Sequence, residues 1–224
     1  MKPFAWSFSR LNSFLTCPRS FSEITVYKRV KYVQGPEAKW GERAHKHCEN
    51  YVNGQPLHTD MLAYADQINT AIRSTGYRGV GPISAEYQAA LNGKFLPVDW
   101  FAKDVWNRAV LDVLRIEGSE AWVIDWKMGK VKPDLKQLKL FALMVFYHFP
   151  QVTIVNTRYE WLQFGVTTRE IFKREDIGML WAVFELDLRS YVQAFREEMW
   201  QERPSGLCKR HCEITACVHN GRNS

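Results

Sequence analysis

The spacing of apolar positions divides the chain into helical and extended stretches. Ser9 to Thr16 reads as a short helix that opens on a serine cap and closes before Cys17-Pro18. A second short helix is expected over about Arg19 to Thr25. Ala38 to Val52 is a stronger helix, ended by Asn53-Gly54. Thr59 to Ser74 is another, with Thr59 as cap and Leu62, Ala65, Ile68 and Ile72 recurring at helical spacing. The period then changes to alternation. Ile83 to Leu91 reads as a strand, followed by the hairpin signal Asn92-Gly93. Ala109 to Glu117 and Ala121 to Lys127 are two more strands, joined at Gly118-Ser119. Pro133-Asp134 opens a helix to about Phe149, Val152 to Phe164 and Arg169 to Lys173 form a last hairpin, and Glu175 to Trp200 is a long helix. Helices, strands, a helix, strands and a helix in that order predict an α/β fold, a central sheet with helices packed on it.

Composition adds bounds. The 224 residues, 46% of them hydrophobic, suit one domain with a real core and exclude general disorder. A single domain over residues 1–224 is expected, with its core at about 38–200. The net charge of +6 permits an acidic partner without demanding one. The longest apolar run, Leu140 to Tyr147, is far short of the ~20 residues of a membrane span. Arg10 and Asn12 interrupt the early apolar residues, so no signal peptide is expected and a cytoplasmic location is. Three of the five cysteines crowd the end of the chain, a pattern that suggests metal more than disulfides.

The strands carry the chemistry. Asp112 stands in Val110-Leu111-Asp112-Val113-Leu114, and Asp125 and Lys127 stand in Val123-Ile124-Asp125-Trp126-Lys127. Residues i and i+2 share a strand face, so Asp125 and Lys127 point the same way. A charge amid apolar strand residues is costly unless partnered. A salt bridge of Lys127 with Asp125 or Asp112 is the plain reading, but two carboxylates and one ammonium overfill a simple pair. A divalent cation between Asp112 and Asp125 completes it, and hard oxygen ligands suit Mg²⁺ or Mn²⁺.

Taken together, these segments resemble the PD-(D/E)xK nuclease superfamily, in its RecB-like branch. Asp112 followed by Ile124-Asp125-Trp126-Lys127-Met128-Gly129-Lys130 is similar to the family's core motif. Gly41-Glu42-Arg43-Ala44-His45 is similar to its Gly-x-x-x-His helix, and Gln137 lies where the family has a Gln-x-x-x-Tyr helix. Phe141 replaces that tyrosine, so a hydroxyl is missing there. Cys17-Pro18-Arg19-Ser20-Phe21 and the cysteine-rich tail resemble the iron–sulfur members. The resemblance implies a restriction-endonuclease-like core and a sequence-nonspecific DNA exonuclease of recombination, replication or repair, of a phage or mobile element. It implies metal ligands at Asp112, Asp125, His45 and the Trp126 carbonyl, with Glu86 near a second metal. Lys127 would act on the attacking water, and Gln137 would position DNA or the lysine. It further implies a [4Fe–4S] cluster on Cys17, Cys208, Cys212 and Cys217 that joins segments 9–21 and 205–219. Zinc is the alternative there, with His211 and His219 close by. Lys130, Lys132 and Lys136 are candidates for phosphate contact, against the plain reading of a solvated surface. Two other classes stay open: a non-catalytic nucleic-acid-binding module of the same fold, and a zinc-stabilised interaction protein.

Overall fold

The computed structural model describes residues 5–79 and 81–223. Their contacts gather into two compact units. One spans Gly35–Val183, and the other combines the N-terminal residues up to Gln34 with those from Phe184 onward.

The Gly35–Val183 unit holds the sheet. Its strands are β1 (Ile83–Asn92), β2 (Val105–Glu117), β3 (Glu120–Lys127), β4 (Ile154–Trp161) and β5 (Val166–Lys173). They lie side by side in sequence order. All neighbours are antiparallel except β3 and β4. The expected mixed sheet with flanking helices is therefore present. A parallel pair needs a long crossover. That crossover contains α5 (Lys136–His148), which buries Leu138 and the whole run Leu140 to Phe146. A helix apolar on nearly every side must be covered on nearly every side. Its far end is closed by Arg174. The guanidinium donates to the carbonyls of Phe146 (2.9 Å), Phe149 (2.8 Å) and Val152 (2.8 Å), which ties the last turn of α5 to the segment after it.

Helix α3 (Pro36–Val52) starts on a proline at its first turn, where no amide is needed. Ala44 and Cys48 of α3, with Ile68, Ala71 and Ile72 of α4 (Ala65–Ser74), are buried with Val113, Ile124 and Trp126 of the sheet. The predicted helix over 59–74 is divided: residues 59–64 form a tighter 3₁₀ turn, and α4 begins after Tyr64. The Asn92-Gly93 pair does not make a two-residue hairpin. Residues 93–104 separate β1 from β2, and the Asn92 Oδ1 accepts the amides of Lys94 (2.9 Å) and Leu96 (3.1 Å) within a local turn. β2 begins at Val105 rather than Ala109.

The other unit has an aromatic core. Phe14 of α1 (Phe8–Thr16), Phe21 of α2 (Pro18–Phe21) and Tyr191 and Phe195 of α6 (Ile177–Glu197) meet mostly edge to face, with Trp200 against Phe21 and Phe195. Within this unit the two ends of the chain run beside each other. The Arg19 amide donates to the Gln201 carbonyl (3.1 Å), Arg203 donates to the Leu15 carbonyl (2.7 Å), and Arg19 pairs with Glu202. Cys17, Cys208, Cys212 and Cys217 all belong to it, and none of them is in a disulfide. Among the described residues no three of these sulfurs lie within 4.8 Å of one another. His219 is held by Glu202 at 3.1 Å.

Candidate functional site

The β2–β3 ladder runs from Glu117↔Glu120 to Val113↔Ile124 and stops. Asp112 and Asp125 follow at that point on their two strands. There the Trp126 amide donates to the Asp112 Oδ2 (2.8 Å) instead of to a main-chain carbonyl. A carboxylate thus stands where a backbone acceptor would continue the sheet. Trp126 enters the site through this amide, while its indole is buried in the core.

Asp112 is 7% exposed. The same Oδ2 lies 3.1 Å from the Nδ1 of His45. Burial of Ala44 and Cys48 fixes the rotation of α3, and with it the direction of His45. Glu86 completes the group by an unusual route. The β1–β2 register passes from Ala85↔Val113 to Tyr87↔Leu111, and Glu86 between them has a left-handed φ of 51°. Such a conformation costs a non-glycine residue about 1–2 kcal/mol. One ligand atom each from His45, Glu86 and Asp112 lies within 4.8 Å of the other two. The electrostatics are mutual. Burial, then the charge of Asp112, pushes the Glu86 carboxyl up. Burial pulls the His45 imidazole down, but the hydrogen bond and charge of Asp112, with that of Asp125, outweigh it and raise it to about 9.

Asp125 is 2% exposed and is turned to a different partner, the Lys127 Nζ at 2.6 Å. Its Oδ2 takes no well-aligned hydrogen bond. Burial raises its carboxyl to about 6, against the pull of Lys127. Lys127 in turn donates to the Oε1 of Gln137 (2.8 Å), in the first turn of α5. Its ammonium also lies 5.1 Å from the centre of the Tyr159 ring. Tyr159 is opposite Asp125 in the parallel register, and its hydroxyl is near the Leu138 and Gln137 backbone at the start of α5. Burial and Asp125 hold its phenol well above the ordinary value. The sequence reading missed Tyr159. Its signal is the β3–β4 register, which is not written in either strand alone. Phe141, four residues after Gln137, is buried.

The structure therefore brings His45, Glu86 and Asp112 together, and Asp125, Lys127 and Gln137 together. Asp125 stands outside the group of three ligand atoms. Lys130 and Lys132 are exposed on the connection after β3, and Lys136 is the half-buried first residue of α5. Adjacent ligands of one octahedral ion at about 2.1 Å stand about 3 Å apart, and opposite ones about 4.2 Å. The 3.1 Å between His45 and Asp112 has that spacing, Glu86 lies within 4.8 Å of both, and the three atoms are donors that a hard or borderline divalent ion accepts. The unaligned buried Oδ2 of Asp125 offers a further oxygen.

No family model matches the chain, and no curated protein does. Among solved structures it is similar to the protein SSO0001, with 13% identity and a TM-score of 0.45, over 96% of this chain and 86% of that one. It is also similar to a candidate exonuclease of Eubacterium rectale, with 10% identity and a TM-score of 0.49, over 98% of this chain and 88% of that one.

Proposed function

We propose that the chain is a metal-dependent deoxyribonuclease of the PD-(D/E)xK kind, in the RecB-like branch, hydrolysing phosphodiester bonds without sequence preference as an exonuclease. The observation that carries this reading is the convergence of His45, Glu86 and Asp112 within 4.8 Å, with Asp125 and Lys127 paired on the next strand. His45, Glu86 and Asp112 would hold Mg²⁺ or Mn²⁺, and Asp125 would join them. When bound, the ion polarises the phosphodiester and lowers the pKa of water.

The remaining roles belong to side chains. Lys127 has three N–H bonds, of which Asp125 and Gln137 take two. The third is directed to the attacking water or to a phosphate oxygen, where it stabilises developing negative charge. Gln137 holds the ammonium in that position. Lys130, Lys132 and Lys136 would grip the DNA backbone by charge, which tolerates any sequence.

The [4Fe–4S] cluster is part of the same proposal. Its support is that Cys17 lies between Leu15 and Arg19, both bonded to the 201–203 segment that leads to the tail cysteines. A cube of iron and sulfide spaces its thiolates more widely than a single ion does. Purified protein that is brown and carries iron and sulfide would support the cluster, and colourless protein carrying zinc would replace it.

The test of the function is release of nucleotides from end-labelled linear DNA with Mg²⁺ or Mn²⁺. Cleavage by the wild type that is lost in both Asp112→Asn and Lys127→Ala supports the reading. Binding of DNA without cleavage, or cleavage that survives both substitutions, overturns it.

A further inference from the structure

Helix α3 carries a second set of ligating side chains on its other side. His47 follows His45 by two residues, and at about 100° per residue the two imidazoles leave the helix roughly 200° apart. His47 meets His58 and Asp60, which lie across the turn that ends α3. Ligand atoms of the three residues lie within 4.8 Å of one another. The two imidazole rings are stacked, with centroids 3.8 Å apart and planes 11° from parallel. The Asp60 Oδ2 faces both rings, 3.8 Å from the His47 Nε2 and 3.6 Å from the His58 Nδ1.

These separations are too long for hydrogen bonds, which end near 3.2 Å. They are close to what a shared ion requires. Ligands of a tetrahedral ion at about 2.0–2.1 Å stand about 3.3–3.4 Å apart. Binding also turns the two imidazoles about their Cβ–Cγ bonds, because the in-plane lone pairs of nearly parallel stacked rings do not meet at one point. The His58 Nδ1 accepts the Asp60 amide at 3.2 Å, so this nitrogen bears a lone pair rather than a proton, and an ion bound there takes the place of that hydrogen bond.

We infer that His47, His58 and Asp60 form a second metal site, separate from the His45 group, that takes a zinc-type divalent ion. Two imidazoles and one carboxylate favour Zn²⁺, Co²⁺ or Ni²⁺ over Mg²⁺. Three protein ligands leave the fourth position to water. The site is a clip: it ties the segment that follows α3 back onto the helix that presents His45.

The experiment is a calorimetric Zn²⁺ titration of the full chain in excess Mg²⁺, with wild type, His58→Ala and Asp60→Asn compared. Zinc bound at cysteines is common to all three and cancels in the difference. The wild type is expected to take up one more zinc equivalent than either variant, or to bind that equivalent at least 30-fold more tightly. Zinc is also expected to raise the melting temperature of the wild type by more than that of either variant. The His58 and Asp60 side chains are 48% and 51% exposed, so both variants should fold, and unchanged circular dichroism checks this. Equal zinc uptake and affinity in the wild type and in either variant overturns the site. DNA cleavage in Mg²⁺ is read in parallel and should be the same in all three, so loss of this site and loss of the nuclease reading are separate results.

Discussion

Asp112 and Asp125 occupy equivalent places on neighbouring strands, and both are buried. Their surroundings differ in kind. Asp112 is met by a backbone amide and an imidazole, with a second carboxylate, Glu86, in the same group. Asp125 is met by an ammonium that a carboxamide holds from the other side. The first group becomes strongly negative as soon as His45 is neutral, so it calls for a cation from outside. The second already contains one. The two acidic residues, alike in sequence, thus meet different partners, and under the proposed function Asp112 is chiefly an ion ligand while Asp125 both joins the ion and holds Lys127 beside it.

This contrast can be broken by experiment. The largest effect is expected from Asp112→Ala, which removes a proposed ligand, the acceptor of the Trp126 amide and the partner of His45. Cleavage should fall by at least ~10³-fold, since several kcal/mol are lost at about 1.36 kcal/mol per factor of ten. Mn²⁺ affinity, read by titration, should fall by ~100-fold or more. Lys127→Ala should cost ~10²- to 10⁴-fold in rate while leaving Mn²⁺ affinity within about threefold. If Lys127→Ala weakens metal binding as much as Asp112→Ala, the division of labour is wrong.

The pH dependence of stability sharpens the same point. His45 is raised from 6.5 to about 9, so the stability it contributes is complete below pH 6.5 and is lost as pH rises through about 9. Asp125 is raised from 3.8 to about 6, so the folded chain also holds its proton more tightly, and stability falls as pH rises through that window. Metal-free protein in chelator should therefore melt at progressively lower temperature from pH 6.5 to 9. Asp112→Asn should flatten that decline, because it removes the partner that raises His45. Mg²⁺ should stabilise the wild type more at pH 9 than at pH 6.5, because binding needs the neutral imidazole.

The smallest effect concerns the backbone at Glu86. Glycine adopts a positive φ freely and alanine does not, so Glu86→Gly should be more stable than Glu86→Ala by about 1 kcal/mol in urea unfolding. Both should bind Mn²⁺ more weakly than the wild type. Equal stability of the two variants would mean that the left-handed conformation at this position is absent in solution.

The sequence made the strand pair visible because a lone aspartate amid valines and leucines is expensive without a partner, and Asp112 and Asp125 both stand so. Other parts could not be read. Nothing in Ala85-Glu86-Tyr87 announces a left-handed residue within a strand, yet that conformation puts Glu86 into the group. Tyr159 joins the site through the pairing of β3 with β4, a long-range register that neither strand specifies alone. Asn92-Gly93 carried a real turn signal, but the asparagine uses it to fold a 12-residue connection back on itself rather than to close a hairpin. His58 and Asp60, which meet His47, stand at the start of a 3₁₀ turn where the sequence predicts the first turn of an α-helix.

Arg174 has a consequence for how this chain tolerates change. Three carbonyl oxygens from the end of α5 and the segment after it converge on one flat guanidinium. A lysine brings the same charge on a single nitrogen and cannot reach all three from one point. Drift at this position should therefore be confined to arginine, although it lies at the opposite end of α5 from Gln137 and touches no reacting group.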